Sequence, residues 1–224
     1  MIPTELVATA QVPGGGELRC LRHGEDYRIF IDRTELMSTR MLGSEAALAE
    51  LALERFGVER ARRVLVGGLG MGFTLARVLE LVGPETTVEV AELVPEIVTW
   101  NRELFGHCAG HPLRDPRTRL TIGDVGEVLA AAPAAYEVVL LDVDNGPEGL
   151  VRRDNSALYE QRGLAVARAA LRPGGVLAVW SSAEHPAFEQ RLRGGFEVRR
   201  HRLRARRTKG PWRTIWVATA ARPR

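Results

Sequence analysis

The run Arg63-Val64-Leu65-Val66-Gly67-Gly68-Leu69-Gly70-Met71-Gly72-Phe73-Thr74-Leu75 constrains this chain more than any other stretch. Val64, Leu65 and Val66 form a short apolar run, as in a strand covered on both faces. Gly68, Gly70 and Gly72 remove Cβ atoms where a ligand must come close to the backbone. The helix expected from Phe73 offers free N–H groups at its start. Such a turn fits nucleotide-binding folds in general, so its surroundings decide what it means.

A second apolar strand, expected over 86–92, ends in Glu92. An acidic residue at that tip accepts hydrogen bonds from ribose hydroxyls, a feature shared by NAD and S-adenosylmethionine proteins. A third strand over 118–122 leads into Gly123-Asp124, where a carboxylate can accept from an adenine amino group. A fourth, over 136–142, ends in Asp142. Three carboxylates at successive strand ends suit a cationic sulfonium nucleoside better than an anionic pyrophosphate, which they would repel.

The rest of the chain alternates in the same way. Helices are expected over 73–82, 95–105, 125–131, 156–171 and 185–193, with Pro95 in a tolerated first-turn position. Further strands are expected over 176–180, 195–204 and 212–219. These elements predict an α/β fold: a doubly wound, mostly parallel seven-stranded sheet with an antiparallel C-terminal hairpin. Ahead of it, residues 4–36 read as short strands, including 17–21 and 27–31 around a His23-Gly24-Glu25-Asp26 turn. Ser44 reads as the N-cap of a helix over 45–56 that Gly57 ends. The expected division is a small N-terminal β-domain over 1–43 and a nucleoside-binding domain over 44–224.

Composition excludes several classes. The chain has 224 residues and no apolar run long enough to span a bilayer. Its first residues lack the basic start and apolar core of a signal peptide. Two distant cysteines, Cys20 and Cys108, are expected as free thiols in a reducing cytosol. His107 and His111 are four apart, but Gly110 and Pro112 spoil a helical pair, so no metal site is expected. The formal charge is +3 and Lys209 is the only lysine. The late basic run Arg199, Arg200, Arg202, Arg204, Arg206, Arg207, Lys209 and Arg213 has three readings. It is an RNA-binding patch, a contact for an anionic small substrate near the active-site mouth, or, as favoured here, a solvated edge whose charges block sheet pairing.

Residues 63 to about 181 resemble the catalytic domain of spermidine synthases, the aminopropyltransferases, within the class I methyltransferase-like Rossmann fold. The resemblance is carried by Val64-Leu65-Val66 with its glycine turn, Asp115-Pro116-Arg117, Gly123-Asp124, Leu141-Asp142, Leu158-Tyr159-Glu160 and Leu171-Arg172-Pro173-Gly174-Gly175-Val176-Leu177. The short N-terminal sheet is similar to that family's β-domain. The resemblance implies that Glu92 binds ribose, Asp124 binds adenine and Asp142 is the base that deprotonates the attacking nucleophile. It sets the cofactor-binding residues as Gly68, Gly70, Met71, Gly72, Glu92, Leu93, Gly123, Asp124, Val125 and Asp142. The substrate-binding residues are set as Ser38, Thr39, Asp144, Asn145 and Tyr159, although Tyr159 reads as core on its own pattern. The family also commonly forms dimers, which makes a cytoplasmic homodimer acting on a small molecule the expectation.

Three departures concern amine recognition. The family's glycine loop, Gly-Gly-Gly-Asp-Gly-Gly, uses its Asp to pair with the amine of decarboxylated S-adenosylmethionine; here that position is Met71. After the base the family has Asp-Ser-Ser-Asp-Pro, whose second Asp holds the polyamine; here Asp142-Val143-Asp144-Asn145-Gly146 puts Asn145 there. Its Glu-Phe-x-Tyr-Gln-Glu-Met run is matched by Glu35-Leu36-Met37-Ser38-Thr39-Arg40-Met41. An ammonium leaves water only for carboxylates or a ring of acceptors, and Arg40 would repel it. The sequence therefore favours methyl transfer from S-adenosylmethionine over aminopropyl transfer from its decarboxylated form. The aminopropyltransferase stands as the alternative, and an RNA-modifying or non-catalytic nucleoside-binding protein as a further one.

Overall fold

The computed structural model describes residues 2–40, 42–143, 156–206 and 209–220. Four strands open the chain: β1 (Thr4–Gln11), β2 (Glu17–His23), β3 (Asp26–Ile31) and β4 (Thr34–Ser38). They form an antiparallel meander in sequence order. Helix α1 (Gly43–Phe56) follows, then the alternating part: β5 (Arg63–Gly67), α2 (Phe73–Leu81), β6 (Thr87–Glu92), α3 (Pro95–Trp100), β7 (Thr118–Ile122), α4 (Val125–Ala131) and β8 (Tyr136–Leu141). Beyond lie α5 (Ser156–Tyr159), α6 (Gln161–Ala170), β9 (Leu171–Ser181), α7 (Pro186–Arg193), β10 (Phe196–Arg204) and β11 (Trp212–Ala220).

The large sheet runs β10-β11-β9-β8-β5-β6-β7. Strands β9, β8, β5, β6 and β7 pair in parallel, while β11 pairs antiparallel with both β9 and β10. The order reverses beside β5, where the chain passes outward to β6 on one side and later to β8 on the other. Ligands of open α/β sheets bind at such a switch point, outside the carboxyl ends of the strands. Val64, Leu65, Val66 and the whole of β8 from Tyr136 to Leu141 are buried, as central strands covered on both faces must be.

Three local expectations need correction. Ser44 does not cap α1: the helix begins at Gly43 with no side-chain cap, and the buried Ser44 hydroxyl donates to Glu45 Oε2 at 2.8 Å. The helix expected over 156–171 is two helices with a break at Glu160, and the Arg191 guanidinium takes the Tyr159 carbonyl at 3.3 Å. The helix over 95–105 has the expected extent, but its last turn, Asn101–Phe105, widens to π geometry. Gly106 permits this, because a Cβ there would sit 1.9 Å from the Asn101 carbonyl oxygen.

The N-terminal sheet does not stand apart from the main body. Val12, Leu18, Cys20, Tyr27, Ile29 and Ile31 share one buried cluster with Leu48, Val64, Val66 and Leu75. That continuous core fixes the meander over the carboxyl ends of the parallel strands, where it roofs a cavity.

Candidate active site

The cavity is floored by the turn after β5 (Gly68, Leu69, Gly70, Met71), by Glu92 and Leu93 after β6, by Gly123 to Val125 after β7, and by Asp142 after β8. Leu36, Met37 and Ser38 of β4 close it from above, with Val12, Leu18 and Ile29 behind them. The cavity opens to solvent at its mouth. Gly68 (φ +88°) brings β5 against the next strand end: a Cβ there would lie 2.3 Å from the Asp142 carbonyl oxygen. Any other residue would push the turn and Asp142 apart.

Glu92 is 8 % exposed and organises the glycine-turn end of the cavity. Its Oε2 accepts from the backbone N–H groups of Leu69 (2.9 Å) and Gly70 (3.4 Å), and its Oε1 from Val94 (2.9 Å). Burial pushes this carboxyl's pKa up, and those amide bonds pull it back. A carboxylate offers about four acceptor sites, so a ribose hydroxyl can still be received. Asn101, at the start of the π turn, donates to the Gly70 carbonyl at 2.7 Å and to Ile97 at 3.1 Å. Sequence reasoning missed this anchor of the glycine loop. Its only advance sign was an Asn where the expected helix should have run undisturbed. Asp124 caps α4, accepting from the Gly126 N–H at 2.7 Å, and lines the cavity as well.

At the other end Asp142 accepts a 2.5 Å hydrogen bond from the Thr74 hydroxyl in the first turn of α2. Burial raises its pKa to about 6, against that bond. Glu45, from the first turn of α1, lines the same wall. Burial and then the charge of Asp142 raise Glu45 to about 7, while Ser44 and, less strongly, the Arg213 guanidinium act the other way. Both carboxyls keep partial solvent access through the cavity that they line. Trp180 at the end of β9 completes this wall; its indole N–H is buried and unpartnered among the described residues, and the Arg213 guanidinium lies 5.4 Å from its ring. Glu45, Thr74 and Trp180 were all missed in the sequence as site residues.

The remaining candidates divide. Met71 lines the cavity and is 3 % exposed, and Ser38 lines it too. Gly72 is outside the lining; a Cβ there would lie 3.0 Å from Asn101 Oδ1 and from Pro112. The Thr39 hydroxyl is spent on the β3–β4 hairpin, accepting from the Tyr27 N–H at 3.0 Å and lying 3.4 Å from Asp26. Tyr159 is buried against Phe188, with its hydroxyl 3.4 Å from the Val143 carbonyl, so it too is outside the lining. Asp144 and Asn145 lie outside the described residues. The Arg40 guanidinium is outside the cavity lining and pairs with Asp26 on the surface.

Arginines of the late basic run are partly answered by acids. Arg200 and Arg202 pair with Glu184, Arg199 faces Glu197, and Arg202 and Arg204 stack on Trp212. Among the described residues no cluster of His, Cys, Asp or Glu is arranged to hold a metal ion, and no helix is long and apolar enough to cross a membrane.

Comparison with known proteins matches residues 43–199 to the model of the spermine/spermidine synthase domain. The chain belongs to that family. Among curated relatives, polyamine aminopropyltransferase 2 of Pseudomonas aeruginosa is 35% identical over 125 residues, 54% of this chain and 34% of the relative. A polyamine aminopropyltransferase of Korarchaeum cryptofilum is 31% identical over 129 residues, 57% of this chain and 38% of the relative. The matched segments thus span little more than a third of these relatives' own lengths. Among solved structures, spermidine synthase from Thermotoga maritima superposes with a TM-score of 0.74 at 15% identity, over 97% of this chain and 74% of that one, which shows the shared fold. These relatives favour the aminopropyltransferase alternative over methyl transfer, which none of them names.

Proposed function

We propose that this member of the spermidine synthase family transfers the aminopropyl group of decarboxylated S-adenosylmethionine to an amine. One observation carries the proposal: Glu92, Asp124 and Asp142, from three strand ends, converge with the glycine turn on one cavity. That donor set fits an adenosyl sulfonium. Glu92 receives ribose, Asp124 receives the adenine amino group, and the apolar wall of Leu69, Met71, Leu93 and Val125 takes the flat base and the chain. When bound, the donor supplies a carbon activated by the adjacent positive sulfur. The protein's part is to hold a nucleophile in line with that carbon and to accept its proton at Asp142, whose raised pKa suits a base working near neutral pH.

A second proposal, methyl transfer from S-adenosylmethionine, draws on Met71. This apolar, buried side chain offers nothing to grip the donor's ammonium and nothing to repel a carboxylate. The products separate the two. Incubation with putrescine and each donor in turn should yield methylthioadenosine from the decarboxylated form. Asp142→Asn should lower that rate by about a hundredfold or more. S-adenosylhomocysteine as the sole product would replace the first proposal with the second. Turnover of neither donor, with Asp142→Asn leaving nucleoside binding untouched, would sink both.

A further inference from the structure

Asp142 shares its end of the cavity with a second carboxylate that the family resemblance does not assign. Glu45 enters from the first turn of α1, which packs across β8, β9 and β11. Among the described residues neither carboxylate has an ion-pair partner at contact distance. Asp142 has the Thr74 hydroxyl and Glu45 has the Ser44 hydroxyl. Glu45 also receives its own backbone N–H, and both carboxylates keep acceptor sites unused. Arg213 of β11 is the cation that Glu45 feels. It is outside the cavity lining, its Nε is buried without a partner among the described residues, and its NH1 group is engaged with the Trp212 carbonyl at 3.2 Å. Two carboxylates in one cavity ionise together only at a cost, which a shared proton or a bound cation relieves.

We propose that Glu45 and Asp142 form a clasp for the primary ammonium of the acceptor, and that the pair takes the proton that must leave before the nitrogen can attack. The clasp deepens the aminopropyltransferase proposal and rests on it. It supplies, from α1, a negative charge for the acceptor that Asn145 does not. The acceptor enters as R–NH3+ and passes one proton to Asp142, where it is shared with Glu45. The freed lone pair forms the new C–N bond as the C–S bond breaks, and that bond's electrons return to sulfur as a neutral thioether. The nitrogen leaves as a secondary ammonium, and the clasp's proton goes to water. Charge and atoms balance with no further reactant.

The pair must be at least half ionised to hold an ammonium. The charged groups bearing on it are Arg213 from β11, and Glu92 and Asp124 across the cavity from β6 and β7. Burial raises both members of the pair, so the empty folded chain holds their protons more tightly than the unfolded chain does. Their contribution to stability is therefore largest below the ordinary carboxylate range and is lost as the pH rises from there through about 6 and about 7. Ammonium binding runs the opposite way and strengthens across the same window.

Calorimetric titration of putrescine into protein saturated with methylthioadenosine tests the clasp, at about pH 6 and about pH 8. Wild type should bind putrescine more tightly at the higher pH. Glu45→Gln should weaken that binding about tenfold and flatten its pH dependence, with methylthioadenosine affinity unchanged as evidence of an intact fold. Equal putrescine affinity in wild type and Glu45→Gln would overturn the proposal, as would a wild type that binds methylthioadenosine but not putrescine. Failure to bind methylthioadenosine at all would instead remove the adenosyl site on which the clasp depends.

Discussion

The two ends of the cavity are built on opposite terms. At the nucleoside end the carboxylates are satisfied by the protein's own backbone: Glu92 takes the amides of Leu69, Gly70 and Val94, and Asp124 takes that of Gly126. At the other end Asp142 and Glu45 have one neutral hydroxyl each, and the charge of Asp142 bears on Glu45. The first end is finished when the chain folds, since its hydrogen bonds also shape the glycine turn. The second is left electrostatically incomplete, which is costly in an empty protein and useful when a cation is to be bound. The contrast separates what the fold needs from what the substrate needs.

The largest expected effect falls on the joint between the two ends. Gly68→Ala places a Cβ at a left-handed φ and within 2.3 Å of the Asp142 carbonyl oxygen. Backbone cannot yield as a side chain tip can, so stability should fall by about 3 kcal/mol or more. Both nucleoside and acceptor binding should fall together. A melting curve and a methylthioadenosine titration check this; a variant that melts like wild type would mean the turn and Asp142 are not held to one another.

The same contrast explains what could be read in advance. Strand ends at Gly67, Glu92, Ile122 and Leu141 were legible to within a residue, because apolar runs, glycines and terminal acids are local signals. Asn101 and Thr74 were not, since each matters through a partner across the fold: the Gly70 carbonyl for one, Asp142 for the other. Glu45 was hidden differently. A Ser-Glu pair opening a helix reads as capping chemistry in water, and only the packing of α1 against β8 and β9 turns it toward Asp142. Thr39 and Tyr159 show the converse. Both came from motif position, and both hydroxyls sit outside the cavity, one in a hairpin and one in the core.

An intermediate effect sharpens the comparison at the wall between the ends. Met71→Asp adds a carboxylate where the resembled family has one. Unpaired in that buried position it should lower stability, and a donor ammonium should relieve the cost. The variant should shift preference toward decarboxylated S-adenosylmethionine over S-adenosylmethionine by about tenfold, roughly 1.4 kcal/mol. Competition between the two donors gives the ratio; an unchanged ratio would place the donor's terminal group away from Met71.

The smallest effect is expected at Arg40, which the sequence marks as hostile to an amine and the fold removes from the question. Its guanidinium is spent on Asp26 at the exposed edge of the hairpin, where Thr39 reinforces the same carboxylate. Solvent screens such a pair, and the charge lies beyond the β4 side chains that roof the cavity. Arg40→Ala should therefore leave both the melting temperature and the putrescine affinity within error of wild type. A gain in putrescine affinity would show that positive charge on the roof does reach the acceptor. The two ends of the cavity would then differ in the field that surrounds them as well as in how their carboxylates are satisfied.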